Sequence, residues 1–531
     1  MKKDIKTYVA VMIAVTTLVL GIYIGYATQR STGSEASFGR YDNNSKMNAI
    51  WGLVSRHYVD PLDADTVMDK VYTAILSTLD PHSSYLSCEM LRKSQETLRG
   101  NFEGVGIVLR VINDTVCVAQ VIPDGPSQRA GVEAGDRILT VDGICVSGVG
   151  MPSDSVVNLL RGRRRSIADI KLLRLSDNSL RNYKVKRDVI ASPSLTYSGM
   201  VNASTGYIHL GRFAETSHDE FCTAIKQLKS KGMKKLILDL RGNGGGLLSA
   251  AIDICDELLP GREMIVYTEG YHERRRNVHS SPGGLFCEGN LVVMIDEYSA
   301  SASEIVAGAI QDNDRGVIVG RRSFGKGLVQ QQFELPDQSA ILLTISRYYT
   351  PSGRCIQRPY NKGTDEYYND FLDQIMNEYG GDTLLSQVTD STPYFTTKGR
   401  TVYGGGGILP DHIVHYKSDP NIAYYNMLLS KAMIANFVVD YVSLNGKDLK
   451  KNYPTEEAFV TQYTLPHATA EALYNYAEQK GLHRDNDGIR AYGKEIAARL
   501  KAEMAQMLYS NGAFYAVMLP FDNEIQEAMN L

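Results

Sequence analysis

The sequence predicts a multidomain α/β protein in which an apolar N-terminal span and a helical segment precede a β-rich unit, an α/β domain and a helical tail. Three observations carry this expectation. Strand-like and helix-like runs alternate between residues 205 and 350. Short strand-like runs separated by turn residues fill 102–187, and amphipathic helical periodicity dominates 421–531. At 531 residues the chain is also too long for one ordinary hydrophobic core.

The N-terminus comes first. Met1-Lys2-Lys3 precedes a charge-free apolar run from Tyr8 to Ala27. Such a run rises about 30 Å as a helix, enough to cross a bilayer. The lysines place its start on the cytoplasmic side and the remainder of the chain outside. A cleaved signal peptide is the alternative, with Gly25-Tyr26-Ala27 as the cleavage-like stretch; the length of the run favours an anchor. Residues 28–46 are polar and rich in Gly and Ser, the composition of a tether. Across 47–88 apolar residues recur at helical steps (Ile50, Leu53, Val54, then Val67, Val71, Ala74, Ile75), closing at Leu79-Asp80-Pro81-His82-Ser83-Ser84-Tyr85-Leu86.

From Phe102 the period changes. Val105–Leu109 and Val116–Val121 read as strands broken by Asn113-Asp114 and by Pro123-Asp124-Gly125-Pro126. A helix-like Ser153–Leu160 and a strand pair out to Arg187 complete this unit. Beyond 205, strands are expected at Tyr207–Leu210, Lys235–Leu240, Leu291–Ile295, Gly316–Val319 and Ala340–Ile345, with helices at about 217–231, 247–258 and 301–312.

Composition excludes several classes. Hydrophobic residues make up 43% and charged residues 22%, with a net charge of −4, so nucleic-acid binding has no electrostatic basis. The seven cysteines form no CxxC pair, and the ten histidines include no HExxH and no compact ligand set. No metal or other cofactor is expected.

Three segments carry chemistry. Leu236–Asp239 runs through Leu240-Arg241 into Gly242-Asn243-Gly244-Gly245-Gly246 and then a helix, which bares backbone N–H groups toward an anion or oxyanion. In Asp296-Glu297-Tyr298-Ser299-Ala300-Ser301-Ala302-Ser303-Glu304, small residues start a helix tightly, and three serines are available either as caps or as a nucleophile. Gly320 to Lys326 fits the first seven positions of a P-loop, yet Gly327 stands where Ser or Thr must hold magnesium and a strand follows; the nucleotide reading fails there. A lysine between glycines ahead of an apolar strand can instead lose its solvation, which favours the neutral amine and suits Ser–Lys catalysis.

Together these segments resemble the C-terminal processing (tail-specific) peptidases. The resemblance rests on Ser299–Ile305, Gln311-Asp312, Phe324-Gly325-Lys326-Gly327 with Gln330, and Asp239–Gly246. It is joined by Leu79–Leu86, Tyr348–Arg354 and Gly407-Ile408-Leu409-Pro410-Asp411, so that it spans about 47–415. It implies a ClpP/crotonase-like α/β serine protease domain. Ser301 would be the nucleophile, Lys326 the general base and Gln330 the residue that orients the amine. The amides of Ala302 and Gly245 would form the oxyanion hole, with Gly244 or Gly246 as alternatives to Gly245, and Asp312 and Glu304 would play supporting roles. Two positions depart from the pattern: Arg321 where glutamate is common, and Cys88 where proline is. An added arginine near the lysine is expected to tune the pH optimum.

The β-rich unit resembles the family's PDZ domain, in which Gly104, Val105, Gly106 and Ile107 would take a peptide C-terminus by strand addition. The expected boundaries are 1–7 cytoplasmic tip, 8–27 anchor or signal peptide, 28–46 linker, 47–89 helical segment, 90–187 PDZ-like domain, 188–418 protease domain and 419–531 helical region. The resulting expectation is a single-pass membrane protein whose catalytic part lies outside the cytoplasm and cleaves exported proteins near or from their C-termini. The competing readings are a catalytically silent PDZ scaffold and a Ser-His-Asp hydrolase using His82 or His209. Substrate identity, oligomeric state and the role of 419–531 are not encoded in any motif.

Overall fold

The computed structural model describes residues 43–379, 390–416 and 419–531. The expected anchor, Tyr8–Ala27, and most of the expected tether lie outside the described residues. Among the described residues, no single helix is long and apolar enough to cross a membrane. A helix covers Asn43–His57 and buries none of its side chains; it begins inside the stretch read as tether. A second helix spans Ala64–Ser77.

The segment 80–86 is not helical, contrary to the periodicity extended through it. Pro81 interrupts the backbone hydrogen-bond ladder, and Ser84–Leu86 instead pairs antiparallel with Ala340–Tyr349, Ser84 opposite Leu342. That long strand also pairs with Leu328–Glu334 and Met264–Glu269, the latter extended by Arg276–His279.

The β-rich unit is a five-strand antiparallel meander, Ile107–Ile112, Thr115–Val121, Arg137–Val141, Ile167–Arg174 and Ser179–Lys186, with Ile144–Cys145 at its margin. Its first hairpin turns at Asn113-Asp114, both at positive φ (46° and 57°), the conformation that a two-residue hairpin loop demands and that Asn and Asp tolerate. Val116, Val118, Ile138, Ile170 and Leu172 fill the core against Val156 and Leu160 of the helix Ser153–Leu160.

The α/β domain is built on a six-strand sheet whose spatial order follows the sequence: β1 (Leu195–Met200), β2 (Thr205–Leu210), β3 (Lys235–Asp239), β4 (Asn290–Ile295), β5 (Val317–Gly320) and β6 (His412–Ile413). Only β1–β2 is antiparallel; the remaining pairs are parallel. Helices α1 (Ser217–Ser230), α2 (Leu248–Leu258) and α3 (Ala302–Asp312) connect successive strands. β3 and β4 are apolar almost throughout (Leu236, Ile237, Leu238; Leu291–Ile295), as strands covered on both faces must be. This places the C-terminal ends of β3 and β4, where ligands gather in open α/β sheets, beside the glycine run and the start of α3.

Helices from Ala423 to Met518 pack around Phe437, Val439, Phe459, Leu473 and Leu500 in a core that also takes in Ile112 and Cys117 of the β-rich unit, while Ile525 and Ala528 of the last helix pack on the sheet against Ile237 and Val292. The end of this region returns to the sheet. Lys235 Nζ donates to the carbonyl of Met529 (2.9 Å), and Arg241 meets Asp522 (2.9 Å) and Glu524 (3.1 Å).

Candidate active site

Of the three serines at the junction of β4 and α3, two are consumed by structure. Ser299 Oγ donates to the carbonyl of Leu240 (2.8 Å) and Ser303 Oγ to that of Asn243 (2.8 Å), both fully buried. Ser301 differs from both. It is half-buried and sits at φ 56°, ψ −111°, a backbone conformation costly for a residue with a side chain and kept only where the surroundings over-determine it. A hydroxyl on a strained turn between a strand and a helix is where a nucleophile is presented. Helix geometry also leaves the amide of Ala302, the first residue of α3, without an intrahelical partner.

Glu304 joins the serine to the lysine loop. Its fully buried carboxylate accepts the amides of Ser301 (2.8 Å) and Lys326 (2.9 Å) on Oε2, and the Ser323 hydroxyl (2.6 Å) and Gly325 amide (2.7 Å) on Oε1. Burial raises its pKa above the ordinary carboxylate range, and these four hydrogen bonds offset that only in part. Three of the four partners are backbone N–H groups, which can only donate and so favour the ionised form.

Lys326 precedes the strand Leu328–Glu334, and its Nζ donates to Gln330 Oε1 (2.8 Å). The Gln330 amide group in turn donates to the carbonyl of His82. Burial holds the lysine pKa below its ordinary value, against the opposing pull of Asp80 and Glu304. Part of the dry surround is aromatic: His82, Phe324, Tyr367 and Phe371 meet edge to face. His82 itself is pushed down to about 4, first by burial and then by the charge of Lys326, so at neutral pH its ring is uncharged, with Nε2 3.1 Å from the Tyr367 hydroxyl.

The glycine turn closes over the serine. Gly245 lies at φ +102°, and a Cβ there would sit 2.9 Å from Ser301 Cβ and 3.1 Å from the Ala302 nitrogen; only glycine fits. Its amide donates to Asn243 Oδ1 (2.9 Å), while Asn243 Nδ2 holds the Leu210 carbonyl (2.8 Å) and its backbone carbonyl accepts Ala300 (3.1 Å). Gly246 passes so close to Phe213 that a Cβ would lie 2.0 Å from its carbonyl oxygen, whereas Gly244 faces open space.

Residues 204–366 match the model of peptidase family S41, and 117–174 match a PDZ domain. The chain is 36% identical to the carboxy-terminal-processing protease of Bartonella bacilliformis over 325 residues, 60% of this chain and 73% of that one. The chain belongs to the carboxyl-terminal processing proteases of family S41. It is 36% identical, over 57% of its own length and 73% of the other, to the carboxyl-terminal-processing protease of a Picosynechococcus strain. Among solved structures, the photosystem II D1 C-terminal processing protease aligns at 29% identity over 58% of this chain and 88% of that one, with a TM-score of 0.33. Residues 424–510 match a family of unknown function.

This S41 chain is thus a serine protease carrying a PDZ domain, and a silent scaffold has no support. In the PDZ domain, Gly104, Val105, Gly106 and Ile107 line one groove of about 330 Å³ between the outer strand Ile107–Ile112 and the helix Ser153–Leu160. An outer strand offers unpaired backbone groups for strand addition. Asp312 is fully buried and pairs with the equally buried Arg354 (2.7 Å) while accepting the Ser352 amide (3.0 Å), which fixes the end of α3 to the 348–354 turn. Arg321 is spoken for: Nε meets Glu297 at 2.9 Å, Nη1 meets Glu524 at 2.5 Å, and its guanidinium lies over Tyr416. Lys326 feels Asp80 and Glu304 rather than this arginine, so the expected tuning of the lysine by Arg321 is not seen. Cys88, the other departure, donates to the Asp337 carbonyl (3.2 Å). His209 pairs with the Tyr515 hydroxyl (3.2 Å) at the sheet end covered by the tail.

Sequence reasoning missed two participants, Asn243 and the backbone of His82. The first was hidden inside a glycine motif. The second acts through a carbonyl, which every residue has; only the turn around Asp80, whose carboxylate accepts the His82 and Ser83 amides (both 2.8 Å), hinted that the segment is rigidly posed.

Proposed function

We propose that this protease hydrolyses peptide bonds with Ser301 as nucleophile and Lys326 as general base, acting outside the cytoplasm on proteins whose C-termini the PDZ groove receives. The observation that carries this reading is the Glu304 carboxylate, which holds Ser301 and Lys326 on one oxygen while Gln330 directs the lysine amine. A neutral Lys326 takes the Ser301 proton as Oγ attacks the scissile carbonyl. The Ala302 amide stabilises the oxyanion, with Gly245 as second donor once its amide leaves Asn243. Lys326 then protonates the leaving amine, and water releases the acyl group. Ser301, Lys326, Gln330, Gly245 and Ala302 are the reacting set; Glu304 and Asp312 position it. The apolar run Tyr8–Ala27 supports a membrane anchor with the catalytic part on the far side.

Ser301→Ala and Lys326→Ala should each abolish cleavage of an unstructured peptide with the circular dichroism spectrum unchanged. Undiminished turnover in either variant would remove the dyad. His82→Gln and His209→Gln should retain activity, and its loss in either would favour a histidine base.

A further inference from the structure

We propose that His218, Cys222 and Glu257 form a three-ligand zinc-binding site on the flank of the protease domain, remote in role from the Ser301–Lys326 chemistry. His218 and Cys222 stand one turn apart on α1 and therefore project from one face; Glu257 comes from the last turn of α2. His218 Nε2 is 2.9 Å from Glu257 Oε1 and 3.3 Å from Cys222 Sγ, and the same Sγ is 3.4 Å from the same Oε1. Zinc binds N and O at about 2.0–2.2 Å and thiolate at about 2.3 Å in tetrahedral array. Donors around it then stand roughly 3.3–3.6 Å apart, from those same bond lengths and the tetrahedral angle. The three atoms already outline one face of such a tetrahedron, and the His–Glu edge has to open by only a few tenths of an ångström.

The chemistry of the set narrows the ion. One imidazole nitrogen, one sulfur and one carboxylate suit borderline-soft zinc and not calcium or magnesium, which require oxygen. The surroundings are those of ligands held in place. Glu257 Oε2 accepts the Leu285 amide (2.8 Å), which fixes the carboxylate with Oε1 turned toward His218 and Cys222. The His218 side chain is 36% exposed, which leaves an entry path and a fourth position for water. A plain His–Glu hydrogen bond accounts for two of these atoms; it gives no reason for a thiol equidistant from both. The set escaped the sequence reading, which expected no compact ligand set, because it is neither HExxH nor CxxC and its third member lies far along the chain. A bound ion would fasten the first turn of α1 to the last turn of α2, the helix that begins behind Gly244–Gly246.

Titrating the metal-free full chain with Co²⁺ tests the site. One equivalent should produce visible ligand-field bands and a near-ultraviolet thiolate-to-cobalt band, both displaced by Zn²⁺. Cys222→Ser, nearly isosteric, should erase the thiolate band and weaken Zn²⁺ binding by at least about 100-fold, since even the loss of an outer-shell partner costs about 10–100-fold. Cys145→Ser, at an exposed cysteine elsewhere, should change neither. Zn²⁺ should raise the thermal midpoint of the wild type and leave that of Cys222→Ser unmoved. Absence of a thiolate band in the wild type, or one-equivalent binding that survives Cys222→Ser, would overturn the proposal. The wild-type spectrum decides even if a variant folds poorly.

Discussion

Replacing Glu304 by glutamine keeps the shape of the side chain and removes its charge and half of its acceptor capacity. The wild-type carboxylate receives four donors. A glutamine oxygen can serve one pair, and its NH₂ must face the other. The less costly placement turns the NH₂ toward Ser323 and Gly325. Ser323 Oγ, which already accepts the Ile408 amide (2.6 Å), has a second lone pair to offer, but the Gly325 N–H is left facing another donor. One buried unsatisfied N–H costs about 1–3 kcal/mol, and losing charge assistance on the Ser301 and Lys326 amides costs about 1 kcal/mol each. Relief from burying an ion returns part of this, leaving a net loss near 2 kcal/mol in urea unfolding. Two kinetic effects accompany it. The plateau of kcat/KM on an unstructured peptide should fall by at least about tenfold, the equivalent of 1.4 kcal/mol of transition-state alignment. Its rising pH limb should move to lower pH, because Glu304 favours the lysine ammonium and its charge is gone. Wild-type stability with an unchanged plateau, or a limb displaced upward, would refute the positioning role.

Gly245→Ala should cut kcat/KM by more than tenfold, because the new methyl meets Ser301 Cβ and the Ala300 carbonyl at under 3 Å. Gly242→Ala, also at positive φ but facing open space, should cost only about 1–2 kcal/mol of stability, and equal activities in the two variants would contradict the reasoning. Asp80→Asn removes the carboxylate that most favours charged Lys326; the lysine pKa falls further, and the ascending limb of kcat/KM should shift to lower pH, an upward shift being the contrary result. Glu524→Ala deprives both Arg241 and Arg321 of a partner. A buried pair broken on one side costs about 3–5 kcal/mol; Glu524 is 19% exposed and other carboxylates remain, so about 2 kcal/mol is expected in chemical denaturation, and an unaltered midpoint would count against the network.

The elements of the protease domain were legible because each announces itself locally. Lys235–Asp239 and Leu291–Ile295 are unbroken apolar runs, and the small residues of 299–303 leave a helix only one place to begin. The Ser301–Lys326–Gln330 set was readable as a motif, yet its wiring was not. The resemblance implied a supporting role for Glu304, but nothing in its position says that it accepts four hydrogen bonds. The segment after Asp80 was misassigned because its apolar spacing continues the helical period while Pro81 and the long strand Ala340–Tyr349 draw it into a sheet. Arg321 shows the same limit from the other side. Its neighbours in sequence suggested an influence on Lys326, but its counter-charge Glu524 lies some two hundred residues away, and only the folded chain brings them together.

That distant partner bears on how the enzyme can be dissected. A fragment trimmed at residue 418, where sequence reasoning ends the protease domain, would keep Arg241 and Arg321 but discard Asp522 and Glu524. Arg241 belongs to the turn that continues into Gly242–Gly245, whose first amide is clasped by Asp296 (2.9 Å). Excision would thus leave Arg241 with Asp239 alone and Arg321 with Glu297 alone, each short of a carboxylate beside the glycine turn, and a fragment that keeps the terminal helix Asn523–Asn530 should be the more stable one.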